Sequence, residues 1–141
     1  MNNIRPDLKW ITNTPQKPDL TLCHELFAPE TARLSRRFHR QIPGFHMSPL
    51  LALPNLAQMF GVGGIWVKDE AVRLQLNSFK VLGGSYAVYK YLKTRLGQND
   101  TELTYAELTS SETRQKLGRI TFATATDGNH GRGIAWAAQK H

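Results

Sequence analysis

Two short segments hold the side chains that could do chemistry: Asn77 to Gly84, N-S-F-K-V-L-G-G, and Thr126 to Gly133, T-D-G-N-H-G-R-G. In the first, Lys80 falls in the opening turn of an expected helix. The unpaired N–H groups of a first turn make the local potential positive, which favours a neutral amine over an ammonium. A neutral amine is the form that attacks an aldehyde to make a Schiff base. A lone lysine on a helix is ordinarily a solvated surface residue, so the neighbouring Gly83-Gly84 pair carries weight. Glycine destabilises a helix interior by about 1 kcal/mol, and two in succession point to close approach by a backbone or a ligand.

In the second segment, Gly128, Gly131 and Gly133 permit tight turns beside a ligand. Asn129 offers both a donor and an acceptor, suited to a phenolic oxygen on a cofactor ring. Asp127 either caps the following helix or serves as a general base beside a cofactor. His130 reads as a packed or helix-start histidine, with catalysis as the alternative. For the whole segment the alternative is a glycine-rich helix start that binds nothing. Lys68, Asp69 and Glu70 read as a solvated turn at a strand end. Neither G-x-G-x-x-G nor G-x-x-x-x-G-K-S/T occurs, which argues against nucleotide binding.

These residues need elements to place them. Residues 1 to about 24 carry three prolines and little periodicity, and read as an extended arm. Ala28 to Arg40 is a predicted helix with Leu34 and Phe38 on one face, ended by Pro43-Gly44. After Met47-Ser48-Pro49-Leu50 comes a short apolar helix, Pro54 to Phe60, closed by Gly61. Gly64 to Glu70 reads as a strand running into a polar loop. The clearest helix follows, capped by Asn77 or Ser78. Phe79, Leu82, Tyr86, Tyr89, Leu92 and Leu96 recur along it at steps of three and four, and Gly97 stops it. Thr104 to Leu117 is a further expected helix, with Thr104 and Glu107 in a capping-box pattern. Ile120 to Ala125 reads as a second strand. Gly131 to Lys140 is a last helix with Ile134, Ala135 and Ala138 on one face. Strand, helix, helix, strand, helix is the order of an α/β fold with a parallel sheet covered by helices. Ligands of such sheets bind at the carboxyl ends of strands, and both chemical segments follow strands and open helices. The expected organisation is an N-terminal arm and helix over 1–45 and an α/β domain over 46–141.

Composition narrows the class. Hydrophobic residues at 40% and charged residues at 21% suit a globular chain rather than a disordered one. No run of about 18 apolar residues occurs, and the N-terminus lacks the apolar centre of a signal peptide. The single cysteine, Cys23, excludes an internal disulfide and a thiolate metal cluster, and no metal is expected. A cytoplasmic location fits these features. Net charge is +7, but the basic residues are scattered and no aromatic–basic stripe suggests nucleic acid. Their densest patch, Arg33, Arg36, Arg37 and Arg40, reads as a solvated helix face, with a phosphate-binding or interface role as the alternative.

Around Lys80, N-S-F-K-V-L-G-G resembles the cofactor-lysine motif of the fold-type II pyridoxal-phosphate enzymes, the group of the threonine and serine dehydratases and the tryptophan synthase β chain. M-S-P-L is similar to that group's threonine-proline-leucine substrate-loop entry, V-K-D-E to its strand end and T-D-G-N-H-G to its asparagine loop. Three longer strings narrow the resemblance to the diaminopropionate ammonia-lyases: A-R-L-S-R-R-F-H-R-Q-I-P-G-F, K-D-E-A-V-R-L-Q-L-N-S-F-K-V-L-G-G-S-Y-A and T-F-A-T-A-T-D-G-N-H-G-R-G-I-A-W-A-A-Q. The resemblance runs from about residue 28 to the last. An aspartate before Gly-Asn-His separates these lyases from ordinary dehydratases, which carry a small residue there.

The resemblance implies pyridoxal 5'-phosphate carried by Lys80, with Phe79, Gly128 and Asn129 in the cofactor site and Asn129 at the ring hydroxyl. It implies α,β-elimination of 2,3-diaminopropionate to pyruvate and two ammonia, by a homodimer without nucleic-acid or membrane partners. Lys80 is the implied base for the L isomer and Asp127 for the D isomer. A serine/threonine dehydratase-like lyase and a non-catalytic remnant are the alternatives. Two positions depart from the pattern: Gln75 stands where glycine is usual, and Ser48 replaces threonine. Chains of this family are much longer than 141 residues. The expectation is therefore an N-terminal segment, without the glycine-rich phosphate loop or the partner of the pyridine nitrogen, and poorly stable alone.

Overall fold

The computed structural model describes residues 21–99 and 101–141. Most of the expected extended arm lies outside them, and its end is helical instead: α1 spans Thr21–Leu26. The second helix, α2 (Pro29–Arg40), starts with proline at its first position, where a missing N–H is harmless. Phe38 is buried on its inner face and Leu34 is half-buried. Strand β1 (Leu50–Ala52) leads into α3 (Pro54–Phe60), and Gly61 closes that helix at φ 64°, the left-handed cap that glycine adopts without penalty. Strand β2 (Trp66–Lys68) returns antiparallel to β1, with Leu50 opposite Lys68 and Ala52 opposite Trp66. A single 3-10 turn at Arg73–Gln75 precedes the longest helix, α4 (Lys80–Arg95). The remaining helices are α5 (Tyr105–Leu108), α6 (Ser111–Leu117) and α7 (Asn129–Gln139). No helix among the described residues is long and apolar enough to cross a membrane.

Three sequence expectations need correction. The helix from Thr104 to Leu117 is two helices. Thr104 and Glu107 do form the capping box, but Ser110 adopts an extended conformation and its hydroxyl accepts from the Thr113 N–H, starting α6 anew. Ile120 to Ala125 belongs to no strand among the described residues; an apolar run needs a neighbouring strand before it becomes one. The sheet that the described residues do form is two-stranded and antiparallel. The inner face of α7 is Gly133 and Ala137, with Ile134 half-buried, while Ala135 faces solvent.

Helix α4 occupies the centre. Val81, Val88 and Leu92 are buried with Phe38 and Ile42 on one side, Tyr105 and Leu108 on another, and Ala137 of α7 on a third. Because α4 packs against α2, α5 and α7, its buried surface is wider than the single stripe that periodicity suggested. Val81, Gly84, Ser85 and Val88 join it, and Phe79 at its start is 61% exposed. Leu92 and Leu108 are almost wholly removed from water, each worth about 2 kcal/mol of transfer free energy.

Candidate active site

Lys80 is the first residue of α4, and Asp127 stands one residue before the cap of α7. Their side chains meet, with Lys80 Nζ 3.6 Å from Asp127 Oδ1. The pair is open to solvent, at 36% exposure for Lys80 and 81% for Asp127. Two residues 47 positions apart are thus brought together by two helix starts.

Glycine makes that approach possible. A Cβ on Gly133 would lie 2.9 Å from the Val81 Cα and 3.1 Å from its nitrogen, so the backbones of α7 and α4 touch where any side chain would intrude. Gly84 repeats the contact from the other helix, facing Ile134 and the Gly133 carbonyl carbon. Of the expected pair, Gly84 serves backbone approach, whereas Gly83 opens onto free space with nothing within 4 Å.

The loop carrying Asp127 is organised by Thr126, whose hydroxyl accepts from the N–H groups of Gly128 and Gly131, each at 3.2 Å. Gly128 caps α7 at φ 138°, a conformation that side chains rarely adopt. Asn129 begins the helix and is exposed; His130 behind it is half-buried. Asp127 does not cap the helix through its side chain.

Ahead of Lys80 the backbone takes an uncommon path. Leu74, Gln75 and Asn77 all sit at positive φ, 46°, 60° and 56°. Gln75 is therefore a non-glycine residue at a position where glycine would be relaxed. The Asn77 side chain caps nothing. The cap position of α4 is Phe79, without a side-chain cap, and one residue earlier the Ser78 hydroxyl accepts from the Lys80 N–H at 3.2 Å.

The loop is clamped by a buried polar network that sequence reading missed. Arg73, only 6% exposed, donates to Glu70 through Nε at 2.8 Å and Nη2 at 3.0 Å. It also donates to the Ser48 hydroxyl at 3.0 Å and to the His46 carbonyl, and its guanidinium lies 4.9 Å from the Phe45 ring centre. The Ser48 hydroxyl donates to Glu70, and Lys68 Nζ donates to the Ser48 carbonyl. Glu70 is held down to about 2, first by the Arg73 guanidinium and then by the Ser48 hydroxyl, against the opposing effect of burial. Lys68 and Glu70 are thus engaged, and the solvated turn expected there is a tie between two loops. The available signal was the three-residue spacing of Glu70 and Arg73.

The profile of the family described as pyridoxal-phosphate dependent enzyme matches residues 42–141. The diaminopropionate ammonia-lyase of Salmonella typhimurium is 48% identical over 103 residues, 73% of this chain and 26% of the relative. That of Escherichia coli is 47% identical over 116 residues, 82% of this chain and 28% of the relative. Two crystal structures of the Escherichia coli enzyme resemble this fold at 46% identity over 82% of the chain. The apo form superposes with a TM-score of 0.71 and 30% of its chain covered, and the complex with D-serine with 0.72 and 28%. The chain spans little more than a quarter of the length of these curated relatives.

Proposed function

The chain belongs to the pyridoxal-phosphate-dependent enzymes, and from that premise we propose that it carries the lysine–aspartate portion of a diaminopropionate ammonia-lyase site. The reaction is α,β-elimination of D- and L-2,3-diaminopropionate. One water is consumed, and pyruvate and two ammonia leave. The observation that carries this reading is the 3.6 Å approach of Lys80 Nζ to Asp127 Oδ1 at two helix starts.

The residues suit the cofactor. An accessible primary amine matches an aldehyde, and an exposed amide at Asn129 matches a ring hydroxyl. Lys80 would hold the cofactor's aldehyde carbon, with Asn129, Phe79 and Gly128 bordering the ring. When bound, pyridoxal phosphate supplies an electron sink for the pair left by a departing α proton. In this reading the Lys80 amine takes the α proton of the L isomer, and the Asp127 carboxylate takes that of the D isomer from the opposite face.

The same reading includes a parallel sheet, an arm-and-helix region over 1–45, a cofactor domain over 46–141, a homodimer and a cytoplasmic setting. The Escherichia coli relative solved with D-serine supports a second reading, loss of water from a β-hydroxy amino acid at the same site.

Two measurements test the assignment. Addition of pyridoxal phosphate followed by borohydride reduction and mass mapping places the adduct on Lys80, and Lys80→Ala abolishes it. An adduct that persists in that variant overturns the reading. In turnover assays, Asp127→Asn spares the L isomer and lowers the D-isomer rate by about a hundredfold, the scale of a lost general base; equal losses on both isomers remove Asp127 from its role.

A further inference from the structure

We propose that the cleft between α2 and α4 binds a multivalent phosphate anion, at a site separate from Lys80 and Asp127. Arg33, Arg36, Arg37 and Arg40 recur at steps of three and four and form one stripe along α2. On α4 the residues at the same steps are Tyr86, Tyr89, Lys90 and Lys93. Both stripes line one cavity of about 1120 Å³, so six cations surround a shared space.

Among the described residues, two carboxylates answer them. Glu30 is taken by Arg33 through two bonds of 2.6 and 2.8 Å, and Glu102 by Arg37 at 2.8 Å. Arg36, Arg40, Lys90 and Lys93 have no ion pair among the described residues, and the Tyr86 hydroxyl has no hydrogen-bond partner among them. Among the described residues of the cleft, six cations thus face two carboxylates. Like charges three and four residues apart repel along a helix, and two such stripes share one space here. An anion between them removes that repulsion from both walls at once.

The chemistry selects the ligand class. Guanidinium groups bind phosphate oxygens in bidentate fashion, and lysine adds point charge. Because the cations come from two walls, a compact ligand with several linked phosphates meets both. Inorganic polyphosphates and nucleoside triphosphates share that chemistry.

Isothermal titration of the purified chain with inorganic tripolyphosphate tests the site. Saturable one-to-one binding is expected, weakening steeply with salt, and at least tenfold tighter than inorganic orthophosphate. The double variants Arg36→Gln/Arg40→Gln and Lys90→Gln/Lys93→Gln each weaken it by about fivefold or more, the scale of a pair of exposed charge contacts. Lys116→Gln/Arg119→Gln, outside the cleft, leaves it unchanged, with helicity of every variant checked by circular dichroism. Adenosine triphosphate binding as well as tripolyphosphate assigns recognition to the phosphate chain, and tighter binding adds a nucleoside contact; either supports the site. Absence of saturation, or equal losses in the cleft and control variants, reduces the cleft to an ordinary basic surface and overturns the proposal. Lys80→Ala keeps tripolyphosphate affinity while losing the pyridoxal adduct; loss of both would move the anion to Lys80 and also overturn it.

Discussion

The crossing of α4 over α7 and the β1–α3–β2 unit solve opposite problems. At the crossing, small residues let two backbones meet, and Val81, Val88, Leu92 and Ala137 are buried around the contact. In the β1–α3–β2 unit the large apolar side chains stay outside: Leu50, Leu51, Trp66 and Val67 on successive strand positions, and Met59 and Phe60 on the helix, are all more than 40% exposed. Neighbouring strand residues point to opposite faces, so this small sheet is apolar on both, the pattern of a strand covered on two sides. What ties the unit to the rest is polar: Arg73, Glu70, Ser48 and Lys68 join its two ends. One region is stabilised by the absence of side chains, the other by a few charged ones.

The largest effect should come from cutting the polar tie. Arg73→Met leaves Glu70 and the Ser48 hydroxyl without their shared donor, and should destabilise the fold by about 3 kcal/mol, read by urea unfolding. The same tie makes stability depend on acid. Because the Glu70 carboxyl titrates near 2 when folded and near its usual 4.5 when unfolded, its contribution is complete above about pH 4.5 and fades as pH falls toward 2. The loss is about 3 kcal/mol, and it should vanish in Glu70→Gln. A melting curve of Arg73→Met matching the parent would show that the apolar contacts alone hold the unit.

Next in size, Gly133→Leu forces apart the α4–α7 backbones and should cost about 2 kcal/mol by overpacking, followed by chemical denaturation. Met59→Ser, in the other region and 74% exposed, should stay within about 0.5 kcal/mol. If both behave alike, the contrast between the regions fails.

The smallest expected effect is a gain. Gln75→Gly relieves a left-handed residue and should raise stability by about 0.5 kcal/mol, partly offset by the flexibility glycine adds to the unfolded chain. Leu74→Gly in the same turn, where the side chain is buried, should lose stability instead.

Local signals were legible in the sequence. Leu34 and Phe38 marked a helix, Pro54 opened another and Gly61 closed it, Thr104 and Glu107 capped a further one, and the segments around Lys80 and Asp127 fell at helix starts. What escaped depends on distant partners. Strand β1 is three residues that only β2 makes a strand. The face of α7 was read by counting apolar residues, which passes over Gly133, the residue that lies against Val81. Ser110 offered a second capping signal inside Thr104 to Leu117, which the expectation of one helix begun at Thr104 passed over. The left-handed turn at 74–77 left a trace only at Gln75, as a residue unlike the glycine expected there.

The contact of Gly133 on Val81 also fixes a length standard. Where α7 crosses the start of α4, main chain rests on main chain. Warming loosens rotamers long before it moves helix axes. The spacing of the two helix starts should thus hold over a wide range of temperature and change in one step when the helices part, while the exposed amine and carboxylate tips move upon it.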